Sequence, residues 1–244
     1  MNYKVMKLKD KTAIVTGGGT GFGKGIAAEL VRRGAKVFIT GRRREVLERT
    51  AAEIGATAVV ADVTSAADWD RVFECAGSVD ILVNNAGAGV KITPLADQSD
   101  EEISAAIGTN LIGAILGAKR AAKVMSARRS GAIVNISSVC ALHAWPEWSV
   151  YTAAKAGLSK FSQALYCEMR PFGVRVFNVT PSWGRTGFNT ACAIAGASED
   201  AALSAKCIAP EEIGRLVCDL LETPDHLAVP EVVLQPMIHA IEPM

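Results

Sequence analysis

The sequence predicts an α/β fold: a doubly wound three-layer sandwich, with a seven-stranded parallel sheet and helices on both faces. Three observations carry this. Short β-branched apolar runs alternate with longer stretches of helical period. Most of those runs are apolar throughout instead of alternating, as strands covered on both faces must be. The first run passes into a glycine-rich turn that opens a helix, the start of a βαβ unit.

Taken in order, the strands fall at Thr12–Thr16, Lys36–Thr40, Ala56–Ala61, Asp80–Asn84, Ala132–Ser137, Arg175–Thr180 and Glu231–Leu234. The stretch Gly23–Arg33 is helical and ends at Gly34, a residue suited to a C-terminal cap. The segment between Asp62 and Asn84 is short, so its helix is expected to be clipped. Ser99 precedes Asp100, Glu101 and Glu102, a capping box that starts a helix reaching about Met125. A further helix covers Thr152–Arg170. Pro210-Glu211-Glu212 opens the last, with proline in the first turn, where a missing N–H costs nothing.

At 244 residues the chain suits one domain with an ample core. It shows no repeat and no Pro/Gly/Ser-rich linker. The nucleotide-binding half is expected over about residues 9–90, the catalytic and substrate half over about 91–244, and a lid over about 184–208. Half of the residues are hydrophobic and 21% charged, which excludes disorder as the main state. Lys and Arg total 26 against 25 Asp and Glu, a net charge of +1, so no global field draws in nucleic acid or an anionic membrane. Residues 1–7 carry charge without a following apolar run, unlike a signal peptide. The best membrane candidate, Leu111–Ala118, is broken by glycines and too short. Cys75, Cys140, Cys167, Cys192, Cys207 and Cys218 form no CxxC pair and read as thiols in a reducing, cytoplasmic compartment.

Ligands of such folds sit beyond the carboxyl ends of the strands. The first strand ends in Thr16-Gly17-Gly18-Gly19-Thr20-Gly21-Phe22-Gly23. Glycines there permit a sharp turn and let backbone N–H groups approach a diphosphate. Gly17, Gly19, Thr20, Gly21, Phe22 and Gly23 are the candidate phosphate cradle. The second strand ends in Gly41-Arg42-Arg43-Arg44, with no acidic residue to accept from a ribose 2′-hydroxyl. Arg42 and Arg43 can hold a 2′-phosphate, so NADP(H) is expected as the preferred cofactor, with NAD(H) possible; a solvated first turn of a helix is the alternative. Asp62 and Val63 close the third strand, where Asp62 either accepts from an adenine amino group or caps the next helix. Asn85, Ala86 and Gly87 end the fourth with small residues over which a flat ring can lie.

Tyr151 and Lys155 stand four apart and share one helix face. A phenol ionises near ~10, and a neighbouring cation favours the phenolate, which turns a poor general acid/base into a usable one. The strand before that helix ends in Ser137-Ser138, which places a hydroxyl at the sheet edge to hold a substrate oxygen. Asn110 is a polar residue inside a helix and needs a partner.

These motifs, in this order, resemble the short-chain dehydrogenase/reductase family in its compact single-domain form, from about Lys9 to the C-terminus. The resemblance implies a Rossmann-like fold and an NAD(P)-dependent alcohol dehydrogenase or carbonyl reductase that moves a hydride between nicotinamide and a carbonyl or secondary alcohol. It implies Tyr151 as acid/base, Lys155 lowering its pKa and holding the nicotinamide ribose, Ser138 orienting the carbonyl, and Asn110 anchoring a proton-relay water. Relatives place that serine thirteen residues before the tyrosine, which selects Ser138 over Ser137. They also place Pro-Gly and then a threonine after the sixth strand to hold the carboxamide. Pro181, Gly184 and Thr186 fall in that segment here, but Ser182 replaces the glycine and Gly184 a branched aliphatic.

Three segments should wall the substrate side: Ala88–Leu95, Val139–Val150 and Trp183 to about Ile208. His143, Trp145, Trp148, Trp183 and Phe188 are the candidate contacts beside Ser138, and they suit an apolar or ring-bearing substrate. No cluster has metal-ligand spacing, so no catalytic metal is expected. Two alternatives stay open. One is a 3-oxoacyl-[acyl-carrier-protein] reductase, for which Arg128-Arg129 is the only basic docking pair. The other is a non-catalytic nucleotide sensor on the same fold. Wider Tyr/Lys spacing would suit an enoyl reductase, and Gly157 speaks against it. The resemblance also implies a homotetramer or homodimer built on the helices around Ala105–Met125 and Thr152–Arg170.

Overall fold

The computed structural model describes residues 5–87, 91–188 and 204–237. The chain runs β1 (Thr12–Thr16), α1 (Gly21–Arg32), β2 (Lys36–Gly41), α2 (Arg44–Ile54), β3 (Thr57–Val60), α3 (Ala66–Ala76), β4 (Ile81–Asn84), α4 (Asp100–Ile107), α5 (Gly113–Arg128), β5 (Gly131–Ile136), α6 (Ser149–Met169), β6 (Val174–Pro181), α7 (Pro210–Leu221) and β7 (Glu231–Leu234). The seven strands form one parallel sheet in the order β3-β2-β1-β4-β5-β6-β7. The order reverses between β1 and β4, which opens a crevice beyond their carboxyl ends.

Apolar side chains leave the sheet on both faces. Val15, Val37, Ile39, Val134, Phe177 and Val179 pack with Ile26, Leu30, Ile213 and Val217 on the α1/α7 side. Ile14, Leu82, Ile133 and Val176 pack with Trp69, Met125, Leu165 and Met169 on the α3/α5/α6 side. This two-sided cover is why the central strands read as unbroken apolar runs. The edge strand β7 alternates instead, exposed at Glu231 and Val233.

The helix starts follow their local chemistry. Ser99 and Glu102 form the expected capping box on α4. Two expectations need correction. The helix after β3 is not clipped, since α3 has 11 residues, as many as α2. The helix from Ser99 is not uniform: a π turn at Gly108–Ile112 separates α4 from α5. The crowding beyond it is tight, because a Cβ on Gly113 would lie 2.7 Å from Val63 and one on Gly117 would lie 2.4 Å from Trp69. Among the described residues no helix is long and apolar enough to cross a membrane.

Candidate active site

A cleft of about 1030 Å³ opens at the carboxyl edge of the sheet. Its one end is the glycine-rich turn. Gly17 takes φ +64°, and a Cβ there would come within 3.0 Å of Ala86. A Cβ on Gly23 would lie 2.3 Å from the Gly17 carbonyl, so Gly23 serves the close packing of turn on helix and stands outside the cleft lining. The Asn85 and Ala86 N–H groups both donate to Thr16 Oγ1 at 2.9 Å, and Asn85 Nδ2 donates to the Thr16 carbonyl at 2.9 Å. The turn is thereby fixed, and Gly17, Gly19, Thr20, Gly21 and Phe22 line the cleft at the start of α1. A turn with no room for side chains, set against a helix N-terminus, fits a dinucleotide diphosphate.

Arg42, Arg43, Asp62, Val63, Asn85, Ala86 and Gly87 line the same cleft. Arg42 lies 4.0 Å from Asp62, and Arg44 pairs with Glu48 at 3.0 Å. Arg43 makes no ion pair among the described residues. Asp62 does not cap α3: Ser65 does so, while Asp62 accepts from the Thr64 N–H and hydroxyl at 2.9 and 2.8 Å.

At the other end, α6 brings in Tyr151 and Lys155. Tyr151 is 6% exposed, its ring 5.7 Å from Trp148 and 5.4 Å from Phe188. Lys155 is 4% exposed, donates to the Ile136 carbonyl at 2.9 Å and lies 5.8 Å from the Tyr151 ring centre. No carboxylate pairs with it among the described residues, and burial pushes its pKa down to about 8. A buried cation with no counter-ion beside a phenol is placed to favour the phenolate.

The two serines divide their work. The Ser137 hydroxyl is 2.8 Å from Ser159 Oγ and 3.2 Å from the Lys155 carbonyl, so it ties β5 to α6. Among the described residues Ser138 Oγ accepts only from the Cys140 N–H, at 3.2 Å, and it retains donor capacity at the cleft. Beneath them, Asn84 donates to Asn135, Asn135 to Ser162, and Asn178 to Ser159, at 2.8–3.0 Å. That network sets the height of α6 on the sheet, and with it Tyr151 and Lys155. Asn110 sits in the π turn, 1% exposed, and donates to the Ala106 carbonyl at 3.0 Å. It lies behind Gly87, where a Cβ would be 3.0 Å from Asn110 Oδ1, and it does not reach the cleft lining itself.

A family model described as short chain dehydrogenase matches residues 11–194. The chain belongs to the short-chain dehydrogenase/reductase family. It is 34% identical over 229 residues to an uncharacterized short-chain type dehydrogenase/reductase of Sinorhizobium fredii, covering 93% of this chain and 91% of that one. It is 36% identical over 184 residues to an oxidoreductase of Sarocladium schorii, covering 73% and 74%. Among solved structures it resembles a closed form of serine dehydrogenase complexed with NADP+, at 27% identity and TM-score 0.86 over 95% and 97% of the two chains. It also resembles 3-ketoacyl-(acyl-carrier-protein) reductase from Brucella melitensis complexed with NADH, at 31% identity and TM-score 0.85 over 93% and 97%. This chain is therefore an oxidoreductase of the short-chain dehydrogenase/reductase family.

Two residues after β6, Ser182 and Gly184, depart from the pattern that the resemblance implies, and the structure explains one. A Cβ on Gly184 would lie 2.2 Å from Phe22 Cζ, so the ring occupies the volume that a branched side chain would fill. A Cβ on Gly21 would likewise lie 3.3 Å from the Thr186 side chain, so the turn packs directly on this segment. Pro181, Trp183, Gly184, Thr186 and Phe188 all line the cleft, as do Trp145 and Trp148. His143 does not: its ring packs 6.1 Å from Trp145, outside the lining, which corrects its placement as a substrate contact. Cleft residues that the sequence does not single out include Val46, Leu47, Ala61 and Ile136. None belongs to a motif, and only the fold brings them to the cleft.

Residues 88–90 of the first expected wall and 189–203 of the expected lid lie outside the described residues, as does Cys192. Cys75, Cys140, Cys167 and Cys218 are thiols. Among the described residues no three His, Cys, Asp or Glu side chains gather to hold a metal ion. Arg128 is held by Ser78 and the Val79 carbonyl, and Arg129 by the Pro171 carbonyl at 2.8 Å, so both serve the fold.

Proposed function

We propose that this protein is an NADP(H)-preferring carbonyl reductase or secondary-alcohol dehydrogenase acting on apolar or ring-bearing compounds. The observation that carries this reading is a single cleft with a diphosphate-sized glycine turn at one end and Tyr151, Lys155 and Ser138 at the other. A bound nicotinamide supplies the hydride in reduction and takes it up in oxidation. Ser138 Oγ donates to the substrate oxygen and holds it against the Tyr151 hydroxyl. Tyr151 gives that oxygen a proton in reduction and removes it in oxidation. Lys155 stabilises the resulting phenolate, and Asn110, whose Oδ1 lies behind Gly87, would anchor the water that relays the proton.

Trp145, Trp148 and Phe188 around Tyr151 support a ring-bearing substrate. The engagement of Arg128 and Arg129 within the fold weighs against an acyl-carrier-protein docking patch. Arg43, unpaired among the described residues and at the cleft, supports NADP(H) over NAD(H). The neighbours complexed with NADP+ and with NADH support a nicotinamide cofactor here. A small-molecule partner, no nucleic acid or membrane partner, a reducing cytoplasmic setting and self-assembly into a homotetramer or homodimer complete the proposal. Turnover of cyclic and aryl ketones with NADPH, and its loss in Tyr151→Phe with nucleotide binding retained, is the test of the reaction. A single-chain mass by light scattering would refute the assembly.

A further inference from the structure

Ser182 is the unusual residue that the packing leaves unexplained. Its N–H donates to the Leu234 carbonyl at 2.8 Å, which continues the β6–β7 ladder past Pro181. Even-numbered residues of β6 face α6: Val176 packs with Leu165 and Met169, and Asn178 donates to Ser159 at 3.0 Å. Odd-numbered Phe177 and Val179 face the α1/α7 side. The ladder therefore carries Ser182 to the face that holds Tyr151 and Lys155, and it lines their cleft. Its hydroxyl is shielded from solvent and has no hydrogen-bond partner among the described residues. A buried hydroxyl left without an acceptor is costly, and a ligand acceptor would recover that cost. One staggered step about χ1 re-aims it.

We propose that Ser182 is a cofactor-binding residue whose hydroxyl donates to the carboxamide oxygen of bound nicotinamide. This rests on the nicotinamide reading above. Ser182 lies on the α6 face of the sheet, the face that carries Tyr151 and Lys155, and the segment just after it meets the diphosphate turn through Gly184 and Phe22, so it stands along the path of a nucleotide that runs from that turn to Tyr151. The carboxamide is that ring's one neutral hydrogen-bonding substituent. A contact there fixes which face of the ring meets the substrate, in a position where a glycine offers no side-chain donor.

The test is nucleotide binding, read by tryptophan fluorescence, with NADP+ and with 2′-phospho-ADP-ribose, which lacks the nicotinamide. Ser182→Ala and Ser182→Gly should weaken NADP+ binding about fivefold and leave 2′-phospho-ADP-ribose unchanged, as loss of about one hydrogen bond predicts. Ser182→Thr, which keeps the hydroxyl, should bind NADP+ within about twofold of wild type. Unchanged NADP+ affinity in the alanine variant would overturn the proposal. So would an equal loss for both probes, the mark of a structural role, or a rise confined to the KM of the carbonyl substrate. Wild-type protein that bound neither probe would overturn the nicotinamide reading, and this proposal with it.

Discussion

Replacing Lys155 with methionine should make the ligand-free protein more stable and leave it without turnover. The ammonium is buried, with no carboxylate within 4 Å among the described residues, and its pKa falls from 10.5 to about 8. At ~1.4 kcal/mol per pH unit, holding the charge in place costs about 3 kcal/mol at neutral pH. Methionine removes that cost at similar volume. It also strands the Ile136 carbonyl, which now accepts from Lys155 at 2.9 Å, and this returns about 1–2 kcal/mol. The net gain is about 1–2 kcal/mol, or about 2–8 °C in Tm for a chain of this size. The pH dependence has a definite sign. Between about pH 8 and 10.5 the unfolded lysine binds a proton that the folded one has released, so wild-type stability rises with pH relative to the variant. The methionine advantage is full below pH 8 and shrinks above it. Urea unfolding of both proteins at pH 7 and pH 9.5 measures this. A variant less stable than wild type at pH 7, or a difference that does not change with pH, would refute the reasoning.

Two further outcomes follow from the cleft. Arg43→Ala should raise the KM for NADPH about tenfold or more and leave the KM for NADH nearly unchanged, since it removes a cation that makes no ion pair among the described residues; parallel steady-state kinetics with the two cofactors decide it. Gly184→Val drives a side chain into Phe22, 2.2 Å from the site of its Cβ, and should cost about 1–3 kcal/mol in stability. Adding Phe22→Ile should recover most of that loss, and additive effects in thermal unfolding of the double variant would argue against the pairing.

The sheet is legible in the sequence because both of its faces are covered, so apolar runs such as Ala13–Val15 and Ile81–Val83 mark strands directly. The catalytic face is legible because Tyr151 and Lys155 depend only on local helical spacing. The π turn at Gly108–Ile112 is not, since no local pattern separates it from the α-helical turns on either side. The reason for Gly184 lies in Phe22, far away in the chain, and nothing local announces it. His143 shows the converse limit: its place in a pocket-edge segment suggests a contact, but the side chain turns onto Trp145. Ser137 and Ser138 are adjacent and chemically alike, and the structure separates them by direction, one toward α6 and one toward the cleft.

The account stands most directly on Tyr151 as the acid/base of a nicotinamide-dependent reaction. The decisive measurement is absorbance at the reduced-nicotinamide band, over a panel of ring-bearing ketones, aldehydes and secondary alcohols, with wild type and Tyr151→Phe. The account predicts turnover with NADPH that falls about a hundredfold or more in the variant, with NADP+ binding unchanged. Equal turnover in the two proteins, or tight nucleotide binding with no turnover by wild type across the panel, would contradict it.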